Sequence, residues 1–186
     1  MRRLAIAALS TLVIPLALQA RAGEKGEKED EQHHAPPPRA ILVFQTMYGV
    51  DGPFIGDTNR IRGVQGDEAP WEIAGSVAGK LFSNGHLRIH VRGLVFKDSP
   101  LVMPPSLIGT NDAEQFRGLV SCLTEQGDQT PTVNVTTQGF PANQKGDSDI
   151  DAVLALPNPC VAPIVFILPG DEDKWFAVTG VETEGD

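Results

Sequence analysis

Residues 73–96, IAGSVAGKLFSNGHLRIHVRGLVF, contain the strongest fold signal in the chain. Two extended runs flank Asn84-Gly85, a dipeptide that favours a type I′ hairpin turn because both central positions need a positive φ. In the second run Leu87, Ile89 and Val91 alternate with polar residues. A period of two indicates a strand with one buried face. The stretch therefore predicts a β-hairpin.

The first arm of this hairpin is rich in small residues. A two-residue turn predicts that Ala78 pairs with Val91 and Gly79 with His90. Gly75 and Gly79 lie inside the arm, where glycine is typical of a bulge or of tight packing. The alternative is that the small residues leave room for a ligand.

Similar strand signals continue along the chain. Residues 164–168, IVFIL, are apolar on both faces, so this strand should be central and covered on both sides. Turn residues separate the strands, and no amphipathic helix is evident. The pattern predicts an all-β fold, a sandwich or barrel, and we favour a single antiparallel β-sandwich of about eight strands over residues 40–183. The other predicted strands are residues 40–48, 114–125, 131–140, 149–156 and 174–181.

The N-terminal residues predict export. Residues 1–22 combine a basic start, an apolar run and small residues at the end, as in a secretory signal peptide. The apolar run is shorter than the roughly 20 residues of a membrane-spanning helix, although a retained anchor is the alternative. Residues 23–39, GEKGEKEDEQHHAPPPR, predict a disordered acidic leader. His33 and His34 could bind a metal weakly, but a site normally needs three or four fixed ligands.

The charge of the chain narrows the choice of partner. The 186 residues have a formal net charge of −9. So acidic a protein is repelled by nucleic acid and by anionic membrane surfaces. Together with the signal peptide, the charge predicts a secreted or periplasmic protein with no nucleic-acid partner and no membrane insertion after signal cleavage.

Cys122 and Cys160 are the two cysteines of the chain. In an exported protein the leading prediction is a disulfide between them. Closing a loop of about 39 residues contributes roughly 4 kcal/mol in the chain-entropy model. A redox pair would favour a CxxC arrangement, and a metal pair would need further ligands nearby in sequence.

The polar face of the hairpin's second arm forms what we call the basic stripe: His86, Arg88, His90 and Arg92. It could receive an anionic group such as a phosphate, a sulfate or an acidic sugar. The stripe spans about 13 Å, too far for its two histidines to share one metal. The alternative is a solvated sheet face with cross-strand pairs.

Three carboxylates follow at two-residue intervals, Asp147, Asp149 and Asp151, and we call them the acidic trio. Hard cations bind such oxygens, so Ca²⁺ is the one cofactor that the sequence suggests. The calcium-loop pattern then requires Gly and Glu where this chain has Ala152 and Asn158. The alternative is a polar strand entry with Asp149 and Asp151 facing outward.

The long connection at residues 49–70 is the first candidate for a functional surface, because loops of this length are often functional. Its carboxylates, with those at residues 171–173, could form the acid–base pair of a hydrolase, but the sequence does not give their separation. No GxSxG motif surrounds Ser76, and a Ser-His-Asp set stays open because triads are spatial. The loop carboxylates are Asp51, Asp57, Asp67 and Glu68.

Four segments between residues 71 and 180 resemble a group of uncharacterised secreted bacterial proteins: FRGLVSCL, VTTQGFP, ALPNPCVAPIVFIL and WFAVTG. The resemblance implies a signal-bearing all-β domain and, with Cys122 and Cys160, one disulfide. It implies no activity, so no functional residue is transferred.

The predicted function is a non-enzymatic binding or envelope-associated module, monomeric or weakly associating. Its predicted binding surface is the loop at residues 49–70 with the neighbouring basic stripe. One alternative is a carbohydrate or ester hydrolase that uses loop carboxylates. Another is a calcium-dependent adhesion module that uses the acidic trio.

Overall fold

The computed structural model describes residues 37–181. The predicted signal peptide and the predicted leader up to residue 36, with His33 and His34, lie outside the described residues. Two short 3-10 helices, Gly52–Phe54 and Pro105–Leu107, are the helical elements of the described part. The predicted all-β class is confirmed.

Twelve strands make up the described fold, more than the eight or so that the sequence predicts. They are β1 (Ala40–Phe44), β2 (Met47–Gly49), β3 (Gln65–Gly66), β4 (Trp71–Phe82), β5 (His86–Phe96), β6 (Gln115–Leu123), β7 (Thr132–Thr136), β8 (Phe140–Pro141), β9 (Ser148–Val153), β10 (Val161–Pro169), β11 (Lys174–Trp175) and β12 (Ala177–Thr179).

The strands form two antiparallel sheets and one short parallel pair. The first sheet has the order β1-β4-β5-β9, and the second has the order β2-β12-β10-β6-β7, with β8 also paired to β6. β11 pairs with β3 in parallel. β10 is the middle strand of the second sheet, and Val165, Phe166, Ile167 and Leu168 are fully buried within it. The prediction that residues 164–168 form a central, covered strand is confirmed.

Three predicted strands are each divided. Residues 40–48 form β1 and most of β2, which belong to different sheets, residues 131–140 contain β7 and the first residue of β8, and residues 174–181 contain β11 and β12. Side-chain alternation can persist through such a change of partner, because it reports the local backbone and not the neighbouring strand. The sequence therefore predicts the extended segments but too few strands.

The hairpin forms as predicted, but its turn and register differ. Residues 83–85 form a three-residue turn, and Gly85, with φ of 82°, is the turn residue that has a positive φ. Such loops commonly join a type I turn to one left-handed residue, so the type I′ prediction is wrong. Ala78 pairs with His90 and not with Val91, a shift of one residue. Ala78 consequently lies on the exposed face of the sheet.

Two glycines of β4 allow close packing, one against an aromatic ring and the other against the backbone of β5. A Cβ atom at Gly79 would lie 2.1 Å from Cζ of Phe44, whose ring occupies that space. A Cβ atom at Gly75 would lie 2.6 Å from the carbonyl oxygen of Arg92, and the β4–β5 register shifts between Ile73 and Ser76. The predicted bulge and tight packing are confirmed at these two positions.

The buried faces of the two sheets share one hydrophobic core. They meet at Gly118 of β6, where an added Cβ atom would lie 2.8 Å from Leu87 Cδ2 and 3.6 Å from Ile150 Cγ2. Cys122 and Cys160 form the predicted disulfide, which ties β6 to the segment before β10.

Candidate functional site

The basic stripe lies on the exposed face of β5, and β9 runs beside it. The register places Arg88 opposite Asp151 and His90 opposite Asp149. Residues that lie opposite each other in an antiparallel pair project from the same face, so the acids of β9 meet the bases of β5. The structure thus brings together two candidate sites that the sequence suggests separately.

Asp151 binds two members of the stripe. His86 Nε2 lies 2.6 Å from Asp151 Oδ1, and Arg88 Nε lies 3.2 Å from Asp151 Oδ2. The hydrogen bond with His86 is the main cause that lowers the pKa of Asp151.

Asp149 binds the other two members. His90 Nδ1 lies 2.8 Å from Asp149 Oδ1, and Arg92 Nη2 donates to both oxygens of Asp149 at 2.8 and 3.1 Å. The hydrogen bond with His90, followed by that with Arg92, lowers the pKa of Asp149. We call the six residues His86, Arg88, His90, Arg92, Asp149 and Asp151 the cross-strand ladder. Within it, the charges of the arginines and aspartates largely cancel.

Asp147 is used differently from the other members of the acidic trio. Its side chain accepts hydrogen bonds from Gly93 N and from Asn143 Nδ2, both at 3.1 Å. Within residues 37–181, no group of three or more His, Cys, Asp or Glu side chains is placed to hold a metal ion. The calcium site stays a prediction.

A groove of about 280 Å³ lies on the same exposed face, over β1, β4 and β5. Lys80 of β4 lies between Val43 of β1 and Arg88 of β5 in the sheet register. None of the ion pairs found in the described part of the chain includes Lys80. The lining residues are Val43, Phe44, Gln45, Ala78, Gly79, Lys80, Arg88 and His90.

The sequence alone does not identify Lys80 or Val43 as site residues. The available signal is weak: Ser76, Ala78 and Lys80 alternate with Val77 and Leu81, which places them on one face of a strand. Only the pairing of three strands shows that this face adjoins the basic stripe.

The long loop at residues 49–70 is well anchored. Arg60 binds Asp57 within it, Asp51 pairs with Lys97, and β3 pairs with β11. The hydrogen bond from Lys97 lowers the pKa of Asp51. Side chains of the loop form ion pairs with Lys97 and Lys174 and a hydrogen bond with Ala162. The side chains of the basic stripe instead form ion pairs with residues of β9.

Two carboxylates of this loop, Asp67 and Glu68, line a second cavity of about 240 Å³. Trp71 Nε1 donates a hydrogen bond of 2.8 Å to Asp67 Oδ2, and burial raises the pKa of Asp67. Lys174 Nζ binds Glu172 Oε2 at 2.5 Å and Glu68 Oε2 at 2.8 Å, and these bonds raise the pKa of Lys174. We call this the acidic cavity; its other lining residues are Phe96, Asp112, Ala113, Pro169, Asp171 and Phe176.

No family model, curated protein or solved structure matches this chain. The resemblance to secreted bacterial proteins therefore stays a prediction. No helix within residues 37–181 is long and apolar enough to cross a membrane.

Proposed function

We propose that the chain is an exported, non-enzymatic β-sandwich module that binds an anionic ligand at the groove over β1, β4 and β5. The observation that supports this function most strongly is the position of Lys80. It lines the groove with Arg88 and His90, and none of the carboxylates within residues 37–181 forms an ion pair with it. An anion is the group that would balance its charge.

The cross-strand ladder also favours an anionic ligand. Asp151 and Asp149 offset Arg88 and Arg92, whereas Lys80 on the same face forms no ion pair with a carboxylate of residues 37–181. The Arg88 side chain is 52% exposed, and exposed ion pairs contribute only about 0–1 kcal/mol. A ligand anion can therefore gain a hydrogen bond from Arg88 at little cost to the fold.

Export is supported by chemistry inside the domain as well as by the predicted signal peptide. The Cys122–Cys160 disulfide is typical of an oxidising compartment, such as the periplasm or the cell exterior. The predicted resemblance of four segments to secreted bacterial proteins would agree with the same location.

A charge-matched ligand pair tests the proposed function. We expect benzenesulfonate, which is permanently anionic, to bind in isothermal titration, and its neutral isostere benzenesulfonamide to bind more weakly. Lys80→Gln should weaken benzenesulfonate binding roughly fivefold, the effect of losing one charged hydrogen bond at an exposed site. Lys145→Gln is the matched control because Lys145 is exposed and lies outside the groove. Equal binding by Lys80→Gln and the wild type would overturn the proposal.

The acidic cavity favours a second candidate, a hydrolase that acts on carbohydrates or esters. A partly buried carboxyl group with a raised pKa can serve as a general acid, and Asp67 has this property. A panel of methyl esters and methyl glycosides tests this candidate, because their alkoxide leaving groups must be protonated as the bond breaks. Methanol release should be lost in Asp67→Asn and kept in Asp57→Asn, because Asp57 binds Arg60 away from the cavity. Full activity in Asp67→Asn would exclude Asp67 as the acid.

A further inference from the structure

The exposed face of the first sheet changes from apolar at β1 to charged at β5 and β9. One row across four strands consists of Val43, Lys80, Arg88 and Asp151, one residue from each strand. The order along this row is apolar, cationic, cationic and anionic. A ligand with its charge near Lys80 and Arg88 would therefore place the rest of its body toward β1.

The β1 side of the groove is open and presents the apolar Val43, followed by the polar Gln45 just after the end of the strand. Val43 is 56% exposed, although it is a large hydrophobic residue on a strand. The neighbouring row holds Ala78, His90 and Asp149, and Ala78 has only a methyl group on this face. The short side chain of Ala78 beside Val43 and Lys80 leaves the depression that forms the groove.

The groove has a floor that the core keeps in place. Gly79 and Phe44 form part of its lining, and the Phe44 ring packs directly against Gly79. Phe44 is 8% exposed, so its ring is held in the core while the backbone of both residues supports the groove. The depression is therefore a feature of the packed sheet.

We infer that the ligand is an amphipathic monoanion, with its charged group on Lys80 and Arg88 and its apolar body on Val43 and Ala78. This inference rests on the proposed function and adds the class of ligand to it. Three neighbouring strands span roughly 10 Å, which limits the length of the ligand. The volume of about 280 Å³ lies just below the range of roughly 300–1,000 Å³ that is typical of small-molecule sites, so the ligand is small.

A series of ligands with constant charge tests the apolar part. Methanesulfonate, benzenesulfonate and naphthalene-2-sulfonate carry the same permanent charge and an increasing apolar area. We expect the affinity of the wild-type protein to rise along this series by at least tenfold, as the buried apolar area grows. Titration calorimetry on the full folded domain gives the three dissociation constants.

Two valine variants locate the apolar contact. Val43→Ser should weaken naphthalene-2-sulfonate binding roughly fivefold and leave methanesulfonate binding unchanged, because only the larger ligand reaches β1. Val153→Ser is the matched control: Val153 is 70% exposed, lies opposite His86 and does not line the groove. It should bind both ligands as the wild type does. Both valines are exposed, so neither change threatens the fold.

The outcomes separate this inference from the proposed function. If the three sulfonates bind equally and depend on Lys80, the anion site stands and the amphipathic ligand is wrong. An equal loss in Val43→Ser and Val153→Ser would also overturn the apolar contact. If no sulfonate binds more tightly than benzenesulfonamide, the proposed function fails and the inference fails with it.

Discussion

Arg62 Nη2 donates a hydrogen bond of 2.9 Å to the carbonyl oxygen of Ala162, one hundred positions along the chain. These two are the non-glycine residues within 37–181 that have a positive φ, 50° for Arg62 and 46° for Ala162. The β10–β6 register shifts between Val161 and Ile164, so Ala162 lies in an irregular part of β10. The bond therefore ties the long loop to the second sheet at a point where both backbones are strained.

Replacing Ala162 by glycine should relieve this strain. A left-handed backbone costs about 1–2 kcal/mol in an alanine and little in a glycine, although glycine gains more entropy on unfolding. We expect Ala162→Gly to raise the free energy of unfolding by about 0.5–1 kcal/mol, measured by urea denaturation. Ala152→Gly is the control, because Ala152 lies in β9 without a positive φ and should lose about 0.5–1 kcal/mol. A loss of stability in Ala162→Gly would contradict the prediction.

A methyl group at Gly79 should disrupt the core under the groove. The added Cβ would lie 2.1 Å from Cζ of Phe44, and overpacking of this kind costs about 1–3 kcal/mol. Thermal unfolding of Gly79→Ala should show the loss. Gly180→Ala is the matched control, because the nearest atom to its Cβ would be 3.8 Å away, an ordinary contact. If both variants unfold at the wild-type temperature, the Phe44 ring is not held against β4.

Removal of the disulfide should destabilise the domain strongly. Cys122 and Cys160 are 38 positions apart, and the chain-entropy model assigns roughly 4 kcal/mol to a loop of this size. The double variant Cys122→Ala, Cys160→Ala should lose about that amount in denaturant unfolding. Dithiothreitol should lower the midpoint of the wild type and leave the variant unchanged. Equal midpoints of oxidised and reduced wild type would show that the disulfide contributes nothing.

Asp67 should give the stability of the domain a specific pH dependence. Burial raises the pKa of Asp67, so the folded state binds more protons than the unfolded state between the two values. The contribution of Asp67 to stability therefore becomes less favourable as pH rises through this window. Asp67→Asn removes the titration and keeps an acceptor for Trp71 Nε1. The variant should gain stability relative to the wild type as pH rises from about 4 to 8.

Two comparisons complete the test of Asp67. Asp67→Ala also removes the titration but leaves the indole N–H of Trp71 without its acceptor, so it should be about 1–3 kcal/mol less stable than Asp67→Asn at every pH. Asp51 and Asp149 have lowered pKa values, so their contributions change with pH in the opposite direction. These contributions are common to the wild type and the variants and cancel in the difference. A difference between Asp67→Asn and the wild type that stays constant with pH would contradict the prediction.

Much of the candidate site is visible in the sequence as separate pieces. The exposed face of β5 follows from alternation, and so does the outward direction of Asp149 and Asp151. Their combination into the cross-strand ladder requires β9 to lie beside β5, and nothing local in residues 86–92 or 147–151 specifies that neighbour. The sequence therefore leaves two interpretations of the basic stripe open, an anion site and a sheet face with cross-strand pairs, and the structure forms the pairs.

The residues themselves are sufficient to predict the extended segments, their buried faces, the covered β10 strand and the Cys122–Cys160 bond. These features depend on local periodicity and on the chemistry of two thiols, and the amino-acid sequence shows both directly. The division of residues 40–48 between two sheets, the one-residue shift of the hairpin and the groove beside Lys80 arise only on folding. Each depends on which strands become neighbours, and that choice is made by packing across the whole core, between residues far apart in the chain.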